Sequence, residues 1–108
     1  MRRYWEDAAV YPVDPERTDL ALEFKVNIRG PHSEELRYIL HRMRATPVRG
    51  KYILAIVEPF KSWRIARISE RGSPIEAVDD RIFEDPGEAE WEVFKMRWAD
   101  LTGHELRI

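Results

Sequence analysis

The stretch Lys51-Tyr52-Ile53-Leu54-Ala55-Ile56-Val57-Glu58-Pro59-Phe60-Lys61-Ser62-Trp63-Arg64-Ile65-Ala66-Arg67-Ile68-Ser69 decides the fold class. Its two flanks, 51–57 and 63–69, are rich in branched and aromatic residues that suit a pleated, half-buried surface. Glu58-Pro59-Phe60-Lys61-Ser62 between them is short and contains a proline, so the segment reads as a β-hairpin. Both flanks are apolar at odd and even positions, which predicts that both faces of the hairpin are covered. Gly50 marks the entry.

Upstream, residues 20–28 alternate: Leu20, Leu22, Phe24, Val26 and Ile28 fall on one side, Ala21, Glu23, Lys25 and Asn27 on the other. Period two predicts a half-buried strand, ended by Gly30-Pro31. Ser33 then stands where a helix N-cap would, followed by Glu34 and Glu35 at the end of the dipole that favours anions. Leu36, Ile39, Leu40 and Met43 follow at i, i+3, i+4 and i+7, predicting a helix over about 33–45 that stops before Pro47. Downstream, Gly72-Ser73-Pro74 is a turn, and residues 75–84 read as irregular with a short strand near 81–83. Asp85-Pro86-Gly87-Glu88 starts a second helix. Asp85 caps, Pro86 occupies the position where a missing N–H costs nothing, and Glu88 completes a capping box. That helix runs to about 102, with Gly103 as the left-handed residue past its end. The expected fold is α+β: a small antiparallel sheet of about three strands (20–28, 51–57, 63–69) packed with two main helices. Residues 1–19, with Pro12 and Pro15, are expected to form an extended arm. Residues 20–108 are expected to form a single domain.

The chain has 108 residues, room for one ordinary domain. Hydrophobic residues make up 44% and charged residues 35%, a globular balance that excludes wholesale disorder. Eighteen Lys plus Arg stand against 20 Asp plus Glu, and the net charge of -2 argues against a nucleic-acid module as a description of the whole chain. The absence of cysteine excludes disulfides, thiolate metal sites and a Cys nucleophile. No apolar targeting segment opens the chain. Its longest apolar run, 53–57, is far short of a membrane span, so a cytoplasmic location is expected.

No catalytic constellation is visible. His32, His41 and His104 are scattered, and adjacent Asp79 and Asp80 would point apart on an extended chain, so no metal ligand set is expected. The serines are explained as caps or turn residues, and none lies in a nucleophile elbow. The glycines are isolated and form no phosphate loop. Arg37, His41 and Arg44 lie along one face of the first helix. They form a candidate site for an anionic ligand or nucleic acid, or alternatively complement the helix C-terminus. The last helix carries two apolar stripes. One is Ala89, Val93 and Met96; the other is Trp91, Phe94, Trp98 and Leu101 on roughly the opposite side. A helix on one small sheet needs a single stripe. The second stripe is therefore expected to meet a partner, with Trp91, Phe94, Trp98 and Leu101 as interface residues and Tyr4 and Trp5 of the arm beside them; the alternative is that it meets the first helix or the N-terminal arm of the same chain.

The hairpin and last helix also resemble a known family, the small subunit of N,N-dimethylformamidase. The resemblance rests on Pro47-x-x-Gly50-Lys51-Tyr52 entering the hairpin and Arg64-Ile65-Ala66-x-Ile68 leaving it. It continues through Gly72, Asp80-Arg81-x-Phe83, Glu88-Ala89, Val93-Phe94, Arg97 and Asp100, and covers residues 42 to about 101. It implies a non-catalytic small subunit of a hetero-oligomeric amide hydrolase. The large partner would hold the iron and hydrolyse a linear amide, while this chain would hold no cofactor and would stabilise that partner. The alternative is a stand-alone binding or regulatory module that uses the Arg37, His41 and Arg44 face.

Overall fold

A computed structural model describes residues 13–45, 51–68 and 75–108. Its elements are α1 (Thr18–Val26), α2 (Glu34–Arg44), β1 (Tyr52–Glu58), β2 (Ser62–Arg67), β3 (Glu76–Ala77) and α3 (Pro86–Thr102). The fold is α+β, and the described residues form three helices and one three-stranded antiparallel sheet in the order β1-β2-β3. The described residues fall into two compact units. One holds 13–45 with 94–108; the other holds 51–68 with 75–93.

The first unit corrects the expected strand at 20–28. Those residues lie mostly in α1, and the third strand of the sheet is Glu76–Ala77 instead. The buried positions of α1 are Leu20, Ala21 and Phe24, a spacing of one and four that only a helix brings to one side. The alternation of apolar residues is real, but the chain does not use it: Leu22 is 50% exposed and Val26 is 79% exposed. Local chemistry favours the helix. Ala21, Leu22, Glu23 and Lys25 are good helix formers, and Asp19 and Lys25 sit at the dipole ends that suit their charges. The expected arm also ends sooner than residue 19, since α1 begins at Thr18. A turn precedes it. Asp14 Oδ1 accepts from the Glu16 N–H at 2.9 Å, and the Arg17 N–H donates to the Asp14 carbonyl at 3.1 Å.

α2 forms as its sequence predicts. The Ser33 hydroxyl accepts from the Leu36 N–H at 3.3 Å, and Leu36, Ile39, Leu40 and Met43 are buried. Glu23 of α1 braces that cap, accepting from Ser33 Oγ at 2.6 Å and from the Ser33 N–H at 2.7 Å. These bonds to the ionised form hold the Glu23 carboxyl below its ordinary range, the side-chain bond from Ser33 being the larger cause. Arg17 links the start of α1 to the first turn of α2 through Glu35, at 2.6 Å.

In the second unit, β1 pairs with β2 from Tyr52↔Arg67 to Glu58↔Ser62, with an irregularity between Ile56 and Glu58. The Arg67 guanidinium lies over the Tyr52 ring at 4.7 Å. At the turn, the Lys61 N–H donates to the Glu58 carbonyl at 3.0 Å, and Phe60 has a φ of 63°. On the far side of β2, β3 pairs through Ala66↔Ala77 and Arg67↔Glu76. The short strand expected near 81–83 is an isolated bridge between Phe83 and Trp63. The expectation that both hairpin faces are covered holds for β2, where Ile65 and Ala66 are buried. It fails for the second half of β1, where Ile56 and Val57 are exposed.

α3 starts as the sequence predicts, with Asp85 Oδ1 accepting from the Gly87 N–H at 2.9 Å. It ends at Gly103, whose φ is 73° and whose N–H donates to the Ala99 carbonyl at 2.8 Å. Thr102 Oγ1 closes the last turn by donating to the Trp98 carbonyl at 2.8 Å.

Candidate interaction surfaces

Of the aromatic stripe expected to meet a partner, the structure buries three members and half-buries Leu101. Trp98 is 1% exposed and Phe94 is 2% exposed. Phe94 stacks on Phe24 of α1 with ring centres 4.5 Å apart and planes within 13°. Trp98 packs against Phe94 at 5.8 Å. The Phe24–Phe94–Trp98 cluster is thus the core of the first unit, and α1 is the element whose apolar face meets this stripe. Trp91 is buried as well. Ala89 and Val93 of the other stripe are also buried, and Met96 is half-buried. Most of both stripes of α3 is therefore buried within the chain, with Met96 and Leu101 left half-open. Tyr4 and Trp5 lie outside the described residues.

Arg37, His41 and Arg44 all lie on α2, as expected from their spacing. Arg37 and Arg44 are exposed and form no ion pair among the described residues, while His41 is half-buried. The helix brings the three to one side but adds no fourth group that would define a pocket. A second charged cluster was not singled out from sequence. Arg81 donates through Nε to Asp79 Oδ2 at 2.9 Å and through a terminal nitrogen to Glu92 Oε2 at 3.0 Å, and lies over the Phe83 ring. Asp79 is held below its ordinary carboxylate range, chiefly by the backbone N–H of Arg81. These bonds fix the segment before α3 to the helix, and every charge in them is answered. No group of three or more His, Asp or Glu among the described residues is arranged to hold a metal ion. No helix among them is long and apolar enough to cross a membrane.

What remains open is apolar surface. On α1, Leu22 and Val26 are one turn apart on the side away from the aromatic core. In the second unit, Ile56 is 65% exposed and Phe60, at the hairpin tip, is 96% exposed. Scattered exposed apolar residues are ordinary, but neighbouring ones on a regular element mark contact surfaces.

The molecule is thus a small α+β protein whose described residues leave open apolar side chains on α1 and the hairpin and two arginines on α2. Residues 13–107 match the family model of the N,N-dimethylformamidase alpha subunit, and the chain belongs to that family. The match reaches well upstream of the hairpin and includes α1 and α2. No curated protein matches the chain.

Proposed function

We propose that this chain is a non-catalytic small subunit of a hetero-oligomeric amide hydrolase, stabilising a larger catalytic subunit that acts on a linear amide. The observation that carries this reading is the family match across 13–107. In this reading the iron belongs to the large subunit, as the family resemblance implies. Its contribution is surface. Trp91, Phe94 and Trp98 are engaged inside the folded chain, so the contact with the large subunit falls to apolar side chains still open to water. Leu22 and Val26 of α1 are the foremost of these. Burying each such side chain contributes about 1.5–3 kcal/mol before ordering costs.

The test is co-expression with a catalytic large subunit of this enzyme family, followed by co-purification and amide hydrolysis assays. The complex should form and hydrolyse the amide, while this chain alone should not. Leu22→Asp with Val26→Asp should abolish co-purification yet leave the helical signal of the isolated chain intact, since both side chains face solvent. Failure of the wild-type chain to co-purify would overturn the subunit reading. Turnover by the isolated chain would overturn the non-catalytic part.

A second reading rests on Arg37 and Arg44, two exposed cations on one helix face without a described counter-ion. It makes the chain a stand-alone binding or regulatory module for an anionic ligand or nucleic acid. Affinity for DNA or RNA that falls steeply with salt would favour it, because each phosphate contact releases counter-ions.

A further inference from the structure

β1 is the outer strand of the sheet, and its far edge carries no partner strand among the described residues. The hydrogen-bond phase along that edge follows from its neighbours. The Ile68 N–H donates to the Lys51 carbonyl, which makes Lys51 and Ile68 a hydrogen-bonded pair. Because such pairs alternate in an antiparallel ladder, Ile53↔Ala66 and Ala55↔Arg64 are bonded pairs as well. Leu54↔Ile65 and Ile56↔Trp63 are then the non-bonded pairs. Trp63 and Ile65 confirm the phase: Trp63 exchanges both backbone bonds with Phe83, and the Ile65 carbonyl accepts from the Val78 N–H, all on the other side of β2. The N–H and C=O groups of Leu54 and Ile56 therefore point outward from the free edge of the sheet.

An open edge of this kind is a template for another strand, and proteins ordinarily blunt it with charge, proline or a bulge. Here residues 52–57 hold no charged residue, proline or glycine. The one irregularity comes after Ile56.

We propose that the edge of β1 pairs antiparallel with β1 of a second copy of this chain, about a two-fold axis through Ala55, giving one continuous six-stranded sheet. The sequence of the edge favours this occupant because it is complementary to itself. In that register Leu54 lies opposite Ile56 of the second copy, and the outward groups of both form four hydrogen bonds across the axis. Ile53 lies opposite Val57, apolar against apolar. Ala55 meets Ala55 at the axis, where the chains approach most closely and a small side chain fits best. Glu58, the first charge, falls opposite Tyr52 and not opposite another carboxylate. A symmetric contact of this kind closes on itself as a dimer and leaves no edge of β1 for further growth. The proposal is independent of the subunit reading, which concerns the α1 surface.

The chain has no cysteine, so a single introduced thiol reports the register. Opposed residues at a non-bonded position have Cα atoms about 4.5 Å apart, within reach of a disulfide. Under mild oxidation, Ala55→Cys should form a covalent dimer at least tenfold faster than Ile53→Cys. The latter lies on the same face but four residues out of register with its copy. Ile56→Pro should weaken the dimer at least tenfold in sedimentation velocity. It removes an outward donor and leaves the pairing with β2 in place, and the sheet signal in circular dichroism should persist. Three results would overturn the proposal. The first is a wild-type chain that stays monomeric at the highest soluble concentration. The second is equal cross-linking by the two cysteine variants. The third is loss of the Ala55→Cys cross-link when the large subunit is bound, which would assign the edge to that partner. Loss of co-purification with the large subunit leaves the first two measurements unaffected, so the two readings fail separately.

Discussion

The two units of this chain use apolar residues in opposite ways. In the helical unit, Phe24, Phe94 and Trp98 stack in sequence, and the large side chains facing inward on α2 are buried. In the hairpin unit, burial is concentrated on β2, around Ile65 and Ala66, and thins out along β1 until Ile56, Val57 and Phe60 stand in water. The helical unit resembles a finished core. The hairpin unit resembles half of one, with a row of backbone groups and apolar side chains along an edge. Stability in this protein is therefore expected to reside chiefly in the helical unit, whose outer α1 face keeps Leu22 and Val26 open, while the hairpin unit offers a strand edge.

The sharpest way to break that contrast is Trp98→Ala. It removes an almost fully buried ring from the aromatic stack and should cost about 3–5 kcal/mol, read as a drop in thermal midpoint. If the isolated chain tolerates it with little loss, the helical unit is not the stable one. The hairpin supplies its own internal comparison. Ile65→Ala on β2 should cost about 2–4 kcal/mol, because Ile65 is fully buried. Ile56→Ala, one strand away, should change stability of the monomer by about 0.5 kcal/mol or less. Equal costs would mean that β1 is covered in solution. At the turn, Phe60→Gly should stabilise the chain by about 1 kcal/mol in chemical denaturation. A left-handed backbone conformation penalises any side chain, and this one packs on nothing that repays it.

The smallest effect concerns the link between α1 and α2. Glu23→Gln keeps the size of the side chain but loses the charge that accepts from Ser33. It should cost about 1 kcal/mol or less, given the partial exposure of the pair. The sign with pH follows from the lowered carboxyl of Glu23. Its contribution is present above the ordinary glutamate range and is lost as pH falls through the lower folded value. The difference in stability between wild type and Glu23→Gln should accordingly narrow in acid. A gap that stays constant with pH would show that the bond to Ser33 does not depend on the charge.

Much of this architecture was legible because single residues dictate backbone geometry. Ser33 caps α2, Asp85 and Pro86 open α3, Gly103 closes it, and Pro59 sits in the hairpin turn. Each acts through bonds within a few residues of itself. The misreading at 20–28 came from the opposite situation. Five alternating apolar residues suggested a strand, yet Leu20, Ala21 and Phe24 fit a helix equally well, and the aromatic face of α3 decides between them. The sequence assigns that face to a partner; that Phe24 of α1 stacks on it is a long-range fact with no local signature. The third strand, Glu76–Ala77, is two residues long and carries no pattern at all. Among the candidate site residues, type and spacing single out Trp91, Phe94 and Trp98 but do not distinguish burial within the chain from burial against a partner. The open edge of β1 was not, because an apolar run reads the same whether its neighbours are two strands or one.

The tip of the hairpin carries one more consequence. Phe60 is an aromatic residue at the crest of an exposed turn, the kind of site where proteases nick folded chains first. Chymotrypsin cleaving after Phe60 would sever β1 from β2 covalently while their ladder still held them together. The rate of that single cut is a built-in gauge of occupancy at this end of the sheet: fast when the tip is bare, slow once any neighbour settles over it.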